Sequence, residues 1–125
     1  MNAQIHMWIG ISVLVVNLVV GLWALLAARK GLFAGRLLIV GFSVGSALLL
    51  VQVLLGLDLW FRMGLRPAPG ALGIVHVAGP LLALVAAIIV EWMPAPKLAG
   101  RYAFSSLLTF AVALLSYGIG EMGRR

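Results

Sequence analysis

Two histidines are the residues whose type and position best suit a chemical role in this chain. His6 and His76 each lie at or near the start of a long apolar stretch, and a neutral imidazole nitrogen is a good axial ligand for haem iron. The chain has no cysteine, which excludes disulfides, thiolate metal sites, cysteine nucleophiles and covalent haem attachment through a C-x-x-C-H motif. Two imidazoles that face each other between helices would therefore suit a b-type haem.

Few other polar groups occur within the apolar stretches, where an unpaired polar side chain is costly. Asn17 and Gln52 are predicted to form hydrogen bonds between helices, and Asp58 is predicted to pair with Arg62 or Arg66. The serines and the threonine of the last stretch are expected to bond to their own helix. Three acidic residues at separate helix ends cannot complete a hydrolytic site with two histidines, so the chain is not expected to be an enzyme by itself.

The composition predicts an integral membrane protein. Of the 125 residues, 64% are hydrophobic and 10% are charged, which is more apolar surface than one small water-soluble domain can bury. The formal net charge of +6 comes from basic residues at the ends of the apolar stretches, where they suit anionic lipid headgroups rather than nucleic acid. These residues are Arg29, Lys30, Arg36, Arg62, Arg66, Lys97, Arg101, Arg124 and Arg125.

Four stretches are long enough to cross a bilayer as helices, which takes about 20 apolar residues each. They cover residues 7–28, 37–61, 71–92 and 102–120, and the connections between them are short and rich in glycine and proline. Short connections make consecutive helices antiparallel neighbours. The chain is therefore predicted to be all-α, a single transmembrane domain over residues 1–125 with an up-down-up-down four-helix bundle.

This topology predicts which polar residues share one side of the membrane. Helices 1 and 3 run parallel, so His6 and His76 begin on the same side, and Asp58, Arg62 and Arg66 emerge there at the end of helix 2. Five basic residues fall on the other side and four on this one. Because cytoplasmic loops collect basic residues, both termini are predicted to lie outside, on the periplasmic face of an inner membrane.

Small residues beside the two histidines favour a flat cofactor. Gly10 follows His6 by one turn and Gly79 follows His76 by one turn, which would let the edges of a macrocycle approach the backbone. Pro80 cannot donate a hydrogen bond to the carbonyl of His76, so helix 3 is expected to bend beside this ligand.

Depth in the membrane argues against equal roles for the two histidines. Measured from the middle of each span, His6 lies about 15 Å and His76 about 9 Å from the bilayer centre. A tilted helix or a tilted haem would have to absorb the roughly 6 Å difference. Ligation by His76 alone is the alternative.

The second and third helices carry a family resemblance. The segment QVLLG at Gln52 to Gly56, a short loop, and His76 followed by Gly79 resemble haem A synthase-like and other small four-helix membrane b cytochromes. The resemblance implies haem b held by paired helix histidines, with His76 as the matching ligand and His6 as its partner, and a role in electron transfer or haem chemistry. Arg62 or Arg66 would then pair with the haem propionates. The chain departs from such families in having no cysteine pair, no catalytic carboxylate next to a helix histidine, and a single four-helix unit.

Three functions follow from these features. The first is a small subunit of a membrane redox or respiratory complex that binds haem b. The second is a cofactor-free accessory subunit that packs against larger membrane partners or against copies of itself. A transporter or channel ranks last, because broken helix pairs and lines of charged residues are missing from the sequence.

Overall fold

The computed structural model of the protein describes residues 3–64, 70–94, 96 and 98–123, and in these residues the fold is all-helical. Four long helices follow one another along the chain. They are α1 (Ala3–Arg29), α2 (Arg36–Met63), α3 (Ala71–Trp92) and α4 (Ala99–Gly123). Each predicted span lies within one of these helices, and α1, α2 and α4 extend beyond the predicted bounds.

Two of these helices end at a glycine. Gly31 follows α1 with φ +66°, and Gly64 follows α2 with φ +65°, a left-handed conformation that costs glycine little. The N–H of Gly64 bonds to the carbonyl of Trp60 at 3.1 Å, which satisfies a carbonyl that the helix end would otherwise leave without a donor. Beyond each of these glycines, the next helix packs side by side with the one before it.

The helices form a ring of antiparallel neighbours. Each consecutive pair is in contact, and α1 also packs along α4, whereas the diagonal pair α1 and α3 makes no contact within the described residues. An interior space between α1 and α3 is therefore bounded by all four helices.

Polar and branched side chains of α1 lie against glycines of α2. A Cβ added at Gly45 would lie 3.1 Å from Asn17 Oδ1, and one added at Gly41 would lie 3.2 Å from Val20 Cγ2. Small residues at such positions let helix backbones approach closely. This face of α1 packs against protein, since Asn17 is 3% exposed and Gly21 is buried.

The bundle end that holds the α1–α2 and α3–α4 connections is closed by packing. Its core includes Phe42 and Tyr102, whose rings meet edge to face with centroids 4.9 Å apart, an arrangement that aromatic quadrupoles favour. The two connections also pair with each other through an isolated antiparallel bridge between Phe33 and Leu98. We call this the closed end.

The outer surface of the bundle is apolar. Large aliphatic and aromatic side chains on all four helices are exposed, among them Val19, Leu54, Leu82 and Phe104. All four helices are long and apolar enough to cross a membrane.

The close approach of α1 and α4 gives a test of this packing. A Cβ at Gly21 would lie 2.7 Å from Leu107 Cδ2 and 3.3 Å from its backbone nitrogen, whereas one at Gly118 would meet nothing within 4 Å. We expect Gly21→Val to lower the free energy of unfolding by about 1–3 kcal/mol through overpacking. Thermal unfolding of the detergent-solubilised protein measures this, with Gly118→Val as the matched control. Equal effects of the two substitutions would contradict the close contact.

Candidate functional site

His76 and Ser116 form a reciprocal pair between α3 and α4. The Nδ1–H of His76 donates to the backbone carbonyl of Ser116 at 2.8 Å, and the Ser116 hydroxyl donates to the backbone carbonyl of His76 at 3.4 Å. A carbonyl only accepts, so in the neutral ring Nδ1 carries the proton and Nε2 carries the lone pair. A backbone carbonyl on the second nitrogen is a common way to orient a ligating histidine.

Pro80 explains why the Ser116 hydroxyl is needed. In a regular helix the N–H of residue 80 would donate to the carbonyl of His76, but proline has no N–H. In a low-dielectric interior a freed carbonyl is costly, and hydroxyl side chains of neighbouring helices commonly satisfy it. Pro80 is inside α3 and lines the same interior space as His76.

His6 lies against α2, on the opposite side of the helix bundle from His76. The Gln52 side-chain amide donates from Nε2 to His6 Nε2 at 3.3 Å, and a Cβ at Gly56 would lie 3.2 Å from His6 Cε1. Gly10 leaves room for the amide, since a Cβ there would lie 2.9 Å from Gln52 Nε2. The half-buried His6 is thus packed against α2 rather than only solvated at the membrane interface.

The register of the helices places His76 deeper than His6. Gly21 faces Leu107 and Gly100 faces Ala28, so each step forward in α1 matches a step back in α4. On this register Ser116, which bonds to His76, is level with a residue of α1 about six positions after His6. Gly120, which His76 Cε1 also approaches, is level with a residue of α1 about two positions after His6. His76 is therefore level with a point about one turn, roughly 6 Å, below His6.

A cavity of about 410 Å³ connects the two histidines. His6, Gln52, His76 and Ser116 line it together with apolar side chains from all four helices. Its volume lies in the range of about 300–1,000 Å³ that small-molecule and cofactor sites occupy. Its deep end rests on a small core that includes Val13 and Leu49.

The remaining residues predicted for the site lie elsewhere. Gly79 faces α4, where an added Cβ would lie 3.0 Å from Val112 Cγ1, so it serves helix packing. Arg62 is bonded to Asp58 at 2.8 Å, as predicted, and its side chain is 83% exposed. Arg66 lies outside the described residues.

Expectations about four polar side chains were wrong. Asn17 donates to the carbonyl of Val13 in its own helix at 2.9 Å rather than to another helix. The hydroxyls of Ser105 and Ser106 are buried and have no hydrogen-bond partner among the described residues, rather than bonding to their own helix. Ser116 bonds across to α3 rather than to its own helix. The signal that points to Ser116 is Pro80, which leaves a carbonyl that needs a donor from the facing helix at the same depth.

The donor set does not favour a metal ion held by side chains alone. Within the part of the chain that the structure describes, no three histidine, cysteine, aspartate or glutamate side chains are grouped to hold one. Haem iron needs only one or two protein ligands, because the porphyrin supplies the others.

Comparison of the chain with protein-family models, with curated proteins and with solved structures gives no match.

The reciprocal pair can be tested by a double-mutant cycle. We expect Ser116→Ala to lower the free energy of unfolding by about 1 kcal/mol, because the carbonyl of His76 loses its donor. In a Pro80→Ala background the new N–H of residue 80 can donate to that carbonyl, so the same substitution should cost much less. Unfolding titrations in mixed micelles of the wild type, the two single variants and the double variant give the coupling free energy between Pro80 and Ser116. An equal cost in both backgrounds would show that Pro80 is unrelated to the role of Ser116.

Proposed function

We propose that the chain is a multi-pass membrane subunit that binds haem b and transfers electrons within a larger redox or respiratory complex. The observation that carries this proposal is that His6 and His76, on diagonally opposite helices, line one largely apolar cavity. His6 from α1 and His76 from α3 would hold the haem iron, as histidines on facing helices of a bundle commonly do. When bound, the haem would supply one-electron redox chemistry.

His76 is the stronger ligand candidate. Its Nδ1–H is held by the Ser116 carbonyl, so the lone pair is on Nε2 and the ring is oriented before any cofactor arrives. Gly120 lies next to the ring, where an added Cβ would lie 3.5 Å from His76 Cε1, in ordinary van der Waals contact. These features support His76 as the principal ligand.

His6 is the candidate for the second ligand. Its Nε2 accepts from Gln52, whose amide oxygen is buried and has no hydrogen-bond partner among the described residues. Ligation through Nε2 would release this amide to pair elsewhere. The one-turn difference in depth favours His76 as the ligand that remains when only one histidine binds.

We propose that Arg62 forms an ion pair with the haem propionates. It lies at the end of α2 that also carries Leu59 and Trp60 of the cavity lining, and its own side chain is outside that lining. Its ion pair with Asp58 is exposed, and such a pair is worth little and exchanges partners readily. Arg66 was predicted for the same role from the sequence.

Membrane insertion is part of the proposal, with both termini on the outer face of an inner membrane. Its support is the length and apolar character of all four helices. In the sequence, five basic residues (Arg29, Lys30, Arg36, Lys97 and Arg101) fall on the side of the α1–α2 and α3–α4 connections, and four (Arg62, Arg66, Arg124 and Arg125) fall on the other. Cytoplasmic loops collect such residues, which favours a cytoplasmic closed end.

This orientation can be measured on single-cysteine variants, because the chain has no cysteine of its own. We expect a membrane-impermeant maleimide added outside intact cells lacking an outer-membrane barrier to label Ala3→Cys, which is exposed at the start of α1. It should leave Gly35→Cys, exposed between α1 and α2, unlabelled until the membrane is opened. Labelling of both sites in sealed cells would contradict a spanning α1, and the reverse pattern would invert the orientation.

A cofactor-free accessory subunit is the second candidate function. The observation that favours it is that both imidazoles have protein partners, Gln52 for His6 and the Ser116 carbonyl for His76. Buried polar groups with such partners need no cofactor to explain them. In this case the histidines serve helix packing, and the apolar outer surface packs against larger membrane subunits.

Substitution of the two histidines separates these functions. If haem b is bound, His76→Ala should remove the reduced-minus-oxidised absorption band while the helical circular dichroism stays unchanged. His6→Ala should retain haem but change its spectrum toward that of a five-coordinate iron. Asn17→Ala, at a buried polar residue outside the cavity, is the matched control and should keep the wild-type band. A wild-type protein without a visible band would contradict haem binding and favour the cofactor-free accessory subunit.

A further inference from the structure

A second concave surface lies at the closed end, between α3 and α4. This groove has a volume of about 400 Å³ and is lined mainly by apolar side chains, including Ile89, Met93 and Phe104. It opens on the outer surface of the bundle, since Ile89 is 54% and Phe104 is 69% exposed. Such a groove can hold a hydrocarbon chain in contact with the surrounding lipid.

Arg101 gives this groove a positive charge. Its side chain lines the groove and is half-buried, and it forms no ion pair with any carboxylate of the described residues. Arg29, Lys30 and Arg36 belong to the same end, where Glu91 near the end of α3 is the described acidic residue. A partly desolvated guanidinium in positive surroundings favours an anion, and phosphate matches its planar set of donors.

We propose that the groove between α3 and α4 binds one anionic phospholipid of the leaflet at the closed end. The phosphate would pair with Arg101, and an acyl chain would lie along Ile89 and Phe104. A free phosphate would leave the apolar groove unused, and a zwitterionic lipid would place a second cation beside a positively charged end. This inference rests on membrane insertion and is independent of haem.

Native mass spectrometry of the detergent-purified full-length protein tests the proposal. The probes are phosphatidylglycerol and phosphatidylcholine with the same acyl chains. We expect one phosphatidylglycerol to be retained per chain, roughly tenfold more tightly than phosphatidylcholine. Arg101→Gln should abolish that preference, whereas Arg36→Gln should keep it, because Arg36 lies at the same end but on α2 and away from the groove.

A second variant tests the apolar part of the site. Ala86 lines the groove, so Ala86→Phe should fill it and weaken phosphatidylglycerol binding while leaving the charge in place. Thermal unfolding of each variant checks that the bundle is intact. Equal losses for Arg101→Gln and Arg36→Gln would mean a diffuse basic surface, and equal retention of the two lipids would mean an apolar groove alone. Either result would overturn the proposal, and neither depends on a visible haem band.

Discussion

A carbonyl without a helical donor is the constraint around which the site is arranged. Pro80 withholds the hydrogen bond that would satisfy the carbonyl of His76, and the hydroxyl of Ser116 supplies it from α4. The same serine offers its own carbonyl to His76 Nδ1. The two bonds of Ser116 join α3 to α4. They fix the proton on Nδ1 of His76 and leave Nε2 for a ligand. The cost of an unsatisfied carbonyl in an apolar interior makes this arrangement difficult to replace.

The two ends of the bundle differ in how they use small residues. At the closed end, small residues such as Ala24 and Ala103 pack around Phe42 and Tyr102, and the two connections join through a bridge. At the other end, glycines of α1 and α2 receive the polar side chains of Gln52 and His6. Backbone approach therefore produces a solid core at one end and a cavity at the other. A rigid closed end is what a bundle needs to hold an open site in place.

The number and placement of the helices were predictable because four apolar stretches have the length of about 20 residues that a membrane span takes, and glycine and proline mark the breaks between them. His76 lies on the same helical stripe as Ala83 and Ala87, and both alanines are buried. Side-chain partners were less predictable. Asn17 bonds to its own helix and Gly79 packs against Val112, because pairing between helices depends on rotation and register that composition does not set. Ser116 could be found only by following the carbonyl that Pro80 leaves free.

Haem binding by this cavity can be measured as the haem content of the purified protein. The measurement is a pyridine haemochrome assay on wild-type protein extracted in mild detergent, with haem b expressed per mole of chain. If the cavity binds haem, we expect close to one haem b per chain, retained through size-exclusion chromatography. A colourless protein that still shows the full helical circular dichroism would contradict it, and the two histidines would then be packing residues of an accessory subunit.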